Sequence, residues 1–391
     1  MIESKEGYKN SEIGVIPEEW EVVKLQEYIK LTSGKFNPKK NLQDEKNDNF
    51  KYPVYGANGV TGFFTSYLVS NPTIIIGRVG EYCGSVHLEK SSIWITDNAI
   101  YTKDINSKFN IDFLYKTFDF IGLKKLAEKT GQPKITQEPI YNLKVSLPPL
   151  KEQKKIADIL SSVDEKIDIV SNQIEKAERL KKGLLQKLLS EGIGHNRFKN
   201  SELGKIPESW EVVKLGDISK ITMGQSPKSN TYNSNNIGMP LIQGNADCKN
   251  RKTIPRIYTT EVTKKCFVGD IIMTVRAPVG AVSKSLHNAC LGRGVCSIKS
   301  KEDNKYIYHY LVDFEDKWDK LSQGSTFTAV SGNDIKNLKI PLPPLQEQKE
   351  IADILSTADE KIEILRTKKQ KYEIVKKGLL QKLLSGEIRT L

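Results

Sequence analysis

Arg78 and Arg276 are the two side chains best placed to act on a polyanion. Each follows a short apolar run, at residues 73–76 or 271–275, and each sits in a glycine-bearing turn: Gly77-Arg78-Val79-Gly80 or Val275-Arg276-Ala277-Pro278-Val279-Gly280. A guanidinium on such a turn can fork onto guanine or grip a phosphate. An internal salt bridge or an idle surface charge is the plainer alternative. Asn58, Gln225, Gln243 and Asn245 lie in other glycine-rich loops. Their amides suit an adenine edge, although Asn also caps its own turn. Lys134 and Phe327 follow two late glycine turns, Gly131-Gln132-Pro133-Lys134 and Gly324-Ser325-Thr326-Phe327. Arg251, Lys252 and Arg256, with Lys249 and Tyr258, make the densest basic patch. It is expected to hold a nucleic-acid backbone, unless it is only a solvated hairpin tip.

Catalytic chemistry finds no foothold. The four histidines are scattered, with no partner at metal or triad spacing, and the five cysteines form no CxxC pair. They are expected to be buried thiols. Thr96-Asp97-Asn98-Ala99-Ile100-Tyr101 lacks the prolines of an amino-methyltransferase motif. Glu21-Val22-Val23-Lys24 is one residue too long for a nuclease Glu-x-Lys, and no phosphate-binding GxxxxGK[ST] occurs. The expectation is therefore no catalytic residue, no metal and no cofactor. A fused DNA-modifying enzyme and a coiled-coil scaffold with no DNA role remain the alternatives.

The elements that must position these loops are written twice. Leu147-Pro148-Pro149-Leu150-Lys151-Glu152-Gln153 recurs 195 residues later as Leu342-Pro343-Pro344-Leu345-Gln346-Glu347-Gln348. Paired prolines bar a helix across them. Beyond them Ile156, Leu160, Val163, Ile167, Val170 and Ile174 are spaced by four and three, the seam of a coiled coil. The second copy reads Ile351, Leu355, Ala358, Ile362 and Leu365, meets Lys369, and resumes at Tyr372. Each helix of about 40 residues would span roughly 60 Å. Such a seam needs a partner. The other copy in the same chain, running antiparallel, is the expected one, and pairing between chains is the alternative.

The opening also repeats. The stretch around Pro17, Trp20 and Val22-Val23 returns around Pro207, Trp210 and Val212-Val213, a turn leading into a short strand. Both tryptophans are expected in cores. Between these borders lie two mixed segments that share little detailed sequence, each closing on a helical stretch, residues 112–128 and 304–321. Charge differs between them. Residues 1–149 carry 19 basic and 18 acidic side chains, whereas residues 191–341 carry 22 and 15. That excess suits a polyanion. The charged start, the lack of a long apolar run and the unpaired cysteines lead to the expectation of a cytoplasmic protein with no membrane contact.

The doubled tryptophan motif and the doubled Leu-Pro-Pro-Leu-x-Glu-Gln-x-x-Ile-Ala-Asp-Ile-Leu together resemble the specificity subunit of type I restriction-modification enzymes, over essentially the whole chain. The resemblance implies an α+β fold. Two target recognition domains, residues 1–146 and 196–341, each read half of a split double-stranded DNA site. Two helical regions, residues 147–195 and 342–391, pack as an intramolecular antiparallel coiled coil with pseudo-two-fold symmetry. It implies partners as well: two methyltransferase subunits docked on the helices, restriction subunits joined through them, and all catalysis left to those partners. The first segment departs from the family's usual Gly-Ser-Thr-Phe form at Gly131-Gln132-Pro133-Lys134.

Overall fold

The computed structural model describes residues 6–36, 39–128, 131–318 and 329–390. They divide into two compact units. One comprises residues 1–171 with 367–391, the other residues 172–366. Each unit holds one sheet domain and parts of both long helices, Leu150–Leu188 and Leu345–Leu384.

In the first unit a hairpin of Tyr8–Ser11 and Gly14–Pro17 precedes the strand Glu21–Lys24, which pairs antiparallel with Lys144–Leu147. A four-stranded sheet follows in the order Ile29–Ser33, Ala99–Ile105, Thr73–Gly77, Val86–Glu89. A three-stranded sheet carries Tyr52–Gly56 at its centre, parallel to Trp94–Ile95. The second unit repeats this skeleton. Its hairpin is Phe198–Ser201 with Gly204–Pro207, its opening strand Glu211–Lys214 pairs with Lys339–Leu342, and Met239–Ile242 runs parallel to Ala289–Leu291. Its larger sheet keeps the four-strand order Ser219–Met223, Val295–Ser300, Ile271–Thr274, Val282–Lys284, then adds two short strands at one edge.

The helical stretches end sooner than their sequence suggests. Ile111–Ile121 stops at Gly122, whose φ of 69° leaves the helical region. Asn304–Phe314 passes into a 3-10 turn at Glu315–Lys317. Asn110 and Asp303 cap these helices by accepting from Phe113 N and Tyr306 N.

The repeated Glu-Gln pair fastens each sheet domain to the helix it precedes. Trp20 and Trp210 are fully buried, and their Nε1 groups donate to Glu152 Oε2 and Glu347 Oε2, each at 2.9 Å. Gln153 Oε1 accepts from Asn110 N, while its Nε2 donates to Pro148 O. Gln348 does the same for Asp303 N and Pro343 O. Gln153 bonds only backbone groups, so the first domain's sequence is free to vary around it, whereas Gln348 Nε2 also donates to Glu302 Oε2 at 3.3 Å.

The helices pair antiparallel in each unit. In the first, Glu152 accepts from Arg389 Nε at 2.8 Å, and twelve residues further on Asp164 meets Lys376 at 2.9 Å. The core joins Ile156 and Leu160 to Leu380, Leu383 and Leu384 from the other helix. In the second unit Glu347 accepts from Ile193 N and His195 Nε2, and Asp359 meets Lys181 at 2.5 Å. Its core joins Ile351 and Leu355 to Leu185, Leu188 and Leu189. Each fully buried leucine contributes roughly 1.5–3 kcal/mol. The seam residues Ile156, Leu160, Val163, Val170, Ile351, Leu355, Ile362 and Leu365 are buried, and Ile167, Ile174, Ala358 and Tyr372 are half-buried. The paired long helices are what the heptads predict, and the α+β fold with two sheet-rich domains is what the resemblance implies.

Candidate nucleic-acid interface

Each unit gathers its glycine turns around one short turn between two strands. In the first unit that turn is Thr96-Asp97-Asn98. Gly34 N donates to Ala99 O, Lys35 N to Ile95 O, Thr96 N to Tyr55 O, Arg78 N to Asn98 O, and Ala99 N to Thr96 O, all between 2.8 and 3.1 Å. In the second it is Gly292-Arg293-Gly294. Gly224 N donates to Val295 O, Gln225 N to Leu291 O, Gly292 N to Ile242 O, Val275 N to Gly294 O, and Val295 N to Gly292 O, between 2.8 and 3.2 Å. The five bonds correspond one for one. A Cβ on Gly34 would lie 2.1 Å from Thr96 O, and one on Gly224 would lie 2.1 Å from Gly292 O. The turn carbonyl approaches too closely for any side chain, which explains a glycine at both places.

These bonds align the units residue by residue. Tyr55 matches Ile242, so Asn58 matches Asn245, and both are exposed on the loop beyond. Arg78 matches Val275 rather than Arg276, and Ile135 N on Arg78 O matches Val330 N on Val275 O. Arg276 instead takes the place of Val79, which bridges Lys134 as Arg276 bridges Ala329. The two arginines therefore leave the shared turn one residue apart. Arg78 is half-buried and Arg276 exposed. Lys134 is exposed beside Val79. Phe327 lies outside the described residues.

Side chains around the two turns are uncommitted. Asn58, Arg78, Lys134, Gln225, Gln243, Asn245 and Arg276 make no side-chain hydrogen bond or ion pair among the described residues. Gln243 is held through its backbone, since Gln243 N donates to Asp247 Oδ2 at 2.8 Å and its Cα lies against Gly292. Such amides and guanidiniums can spend their donors on a base or a phosphate without first breaking an internal bond.

The basic patch behaves differently. Arg251 forks onto Glu315, Nη1 to Oε1 at 2.6 Å and Nη2 to Oε2 at 2.9 Å, and Glu315 Oε1 also accepts from Val282 N. Arg256 Nε donates to the buried Asp247 at 2.9 Å, which steadies the carboxylate that holds Gln243. Lys252 reaches Glu363 of the second long helix at 3.5 Å. Sequence separation hides these partners. Two more turn-tip residues, Asp97 and Arg293, drew no binding assignment from sequence. The Gly-Arg-Gly spelling of residues 292–294 is the signal that could have found the second.

A contrast between arginines follows. Arg251→Ala strips two bonds from Glu315 and is expected to destabilise the second unit by about 1–3 kcal/mol. Arg276→Ala removes no bond and should leave the melting temperature nearly unchanged, within about 0.5 kcal/mol, while weakening DNA binding by the assembled complex. Melting curves and salt-titrated binding on both variants decide this. Equal destabilisation by the two would reverse the sorting.

Four cysteines are buried and Cys248 is half-buried, all as free thiols. No helix of the described residues is long and apolar enough to cross a membrane.

The family model described as the type I restriction modification DNA specificity domain matches the chain twice, over residues 17–179 and 207–373. The chain is 35% identical to the type I restriction enzyme MjaX specificity subunit of Methanocaldococcus jannaschii, across 98% of this chain and 97% of that one. It is 30% identical to the MjaVIII specificity subunit of the same organism, across 96% and 94%. Among solved structures, the S subunit of a type I restriction-modification system from M. genitalium superposes with a TM-score of 0.69 at 16% identity, covering 93% of this chain and 96% of that one.

Proposed function

The chain belongs to the type I restriction-modification DNA specificity family, and from that premise we propose that it reads a split double-stranded DNA target, one sheet domain to each half-site. Residues 1–146 and 196–341 are assigned to the two halves, and residues 147–195 and 342–391 to the two long helical regions. The observation that carries this is the pair of matched turns: one backbone scaffold, used twice, with different free side chains on it. A reader of two unlike half-sites needs that combination, because phosphate contacts position a protein while base contacts specify the sequence. Asn58, Arg78 and Lys134 serve the first half; Gln225, Gln243, Asn245, Arg276 and Phe327 serve the second. Arg251, Lys252 and Arg256 are each paired with a carboxylate, and the donors those pairs leave free hold the DNA backbone.

The chain is proposed as a non-catalytic cytoplasmic subunit. Methylation and cleavage then belong to partners, two methyltransferase subunits and restriction subunits. Support for two like partners comes from the helices. Ile169 and Leu180 on the first are 56% and 63% exposed, and their counterparts 195 residues on, Ile364 and Val375, are 63% and 48% exposed. Apolar positions left bare at the same places in both copies fit one kind of partner bound twice.

Methylation mapping in cells that express this chain with its cognate methyltransferase tests the reading. A split motif with a fixed spacer is the expected result. A contiguous motif, or methyl transfer by the purified chain alone, would overturn it.

A further inference from the structure

At the tip of the matched turns the two units carry opposite charges. The shared hydrogen bonds place Asp97 of the first unit where the second has Arg293. Both side chains are exposed, and neither has a side-chain partner among the described residues. The turns do not need them, since Arg293 is tied only through its backbone N, which donates to Ser226 Oγ at 3.1 Å. Asn58 and Asn245 stand at matched places on the adjoining loops, while Thr96 and Asn98 flank the first tip where Gly292 and Gly294 flank the second. A reversal of charge at one position of a repeated scaffold calls for a reason outside the chain.

We infer that Asp97 and Arg293 are specificity-determining residues, reading corresponding base positions with opposite hydrogen-bond polarity. This rests on the proposed reading of one half-site per unit. A carboxylate facing a phosphate backbone is repelled by it, so Asp97 on a DNA-facing turn is useful only against a base edge that donates. The N4 amino group of cytosine is the donor an aspartate suits in the major groove. Arg293 has the converse chemistry and forks onto O6 and N7 of guanine.

The test is methylation mapping with the complete complex carrying Asp97→Ala or Arg293→Lys. Lysine keeps the charge and the phosphate grip but loses the planar fork that matches guanine O6 and N7, so its hold on guanine is weaker. Asp97→Ala is expected to relax one position of the first half-site only. Arg293→Lys is expected to relax one position of the second only, with discrimination falling roughly 5- to 150-fold. Unchanged motifs for both variants would overturn the inference while leaving the split-target reading intact. An even loss of methylation at all sites would overturn it too, since that marks a backbone grip. So would a lowered melting temperature, which marks a structural role. If the unaltered chain yields no split motif, the underlying reading fails first and this inference with it.

Discussion

Asp164→Ala is expected to lower the stability of the first unit by about 3–5 kcal/mol, the cost of leaving a buried charge without its partner. Lys116 stands on the helix Ile111–Ile121 with its side chain 5% exposed, and its ammonium bonds to Asp164 on the first long helix. Asp164 also takes Lys376 from the second long helix at 2.9 Å. Three elements meet on one carboxylate. The second unit builds the same knot from different parts: Asp359 takes Lys181, and the place of Lys116 falls to His309. His309 is fully buried, with Nε2 3.1 Å from Ser356 Oγ. Burial, aided by Lys284, Lys181, Arg251 and Lys305, pushes its pKa down to about 3, so it is neutral. Asp359→Ala therefore strands only Lys181 and should cost less, about 1–3 kcal/mol. Hydrogen exchange at residues 111–121 and 304–314 in the two variants measures both losses. Equal losses would count against the buried lysine as the cause.

Acid should separate the units as well. Burial raises the pKa of Asp164, but bonds from Lys116 and Lys376 outweigh it and hold the carboxyl below its usual range. Its contribution is complete above a pH of about 4 and disappears as pH falls through the lowered value. For His309 the unfolded chain takes up a proton near pH 6.5 while the folded one does not. Stability of the second unit thus falls as pH drops from about 6.5 toward 3, by at most about 1.4 kcal/mol per pH unit. The second unit is expected to loosen first.

What the sequence made plain was whatever follows a short rule. The four-three spacing from Ile156 and from Ile351 is visible because a helix repeats its face every few residues. The doubled borders are visible because each contact there is made by a fixed side chain, Trp20 on Glu152 or Trp210 on Glu347. The surface is harder. Arg251 looks free in sequence because Glu315 is 64 residues away. Arg78 and Arg276 look equivalent because both follow an apolar run, yet the backbone bonds offset them by one residue, and a one-residue offset in extended backbone reverses the side-chain direction. Asp97 stands out in sequence only within a stretch that lacks the prolines of a methyltransferase motif, since its match with Arg293 exists only in the hydrogen-bond pattern.

Exchanging residues 26–146 for the same segment of another family member is expected to replace the first half of the methylated motif completely, leaving the second half and the spacer as they were. The joints permit it. Gln153 contacts the domain through Asn110 N and Lys108 O, backbone groups that any sequence supplies. The strand Lys144–Leu147 pairs with Glu21–Lys24 through main-chain bonds. The side-chain joints that depend on the donor are Lys144 with Glu12, Ser146 with Leu384 O, Asp119 with Lys376 and, the most buried, Lys116 with Asp164. A donor with lysine there should fold as well as the parent. One with an apolar residue leaves Asp164 to Lys376 alone and should fold less well, until Asp164 is changed with it. Motif mapping and melting curves on two such grafts separate these effects. A graft that folds normally but alters both halves of the motif would show that the two domains do not read independently.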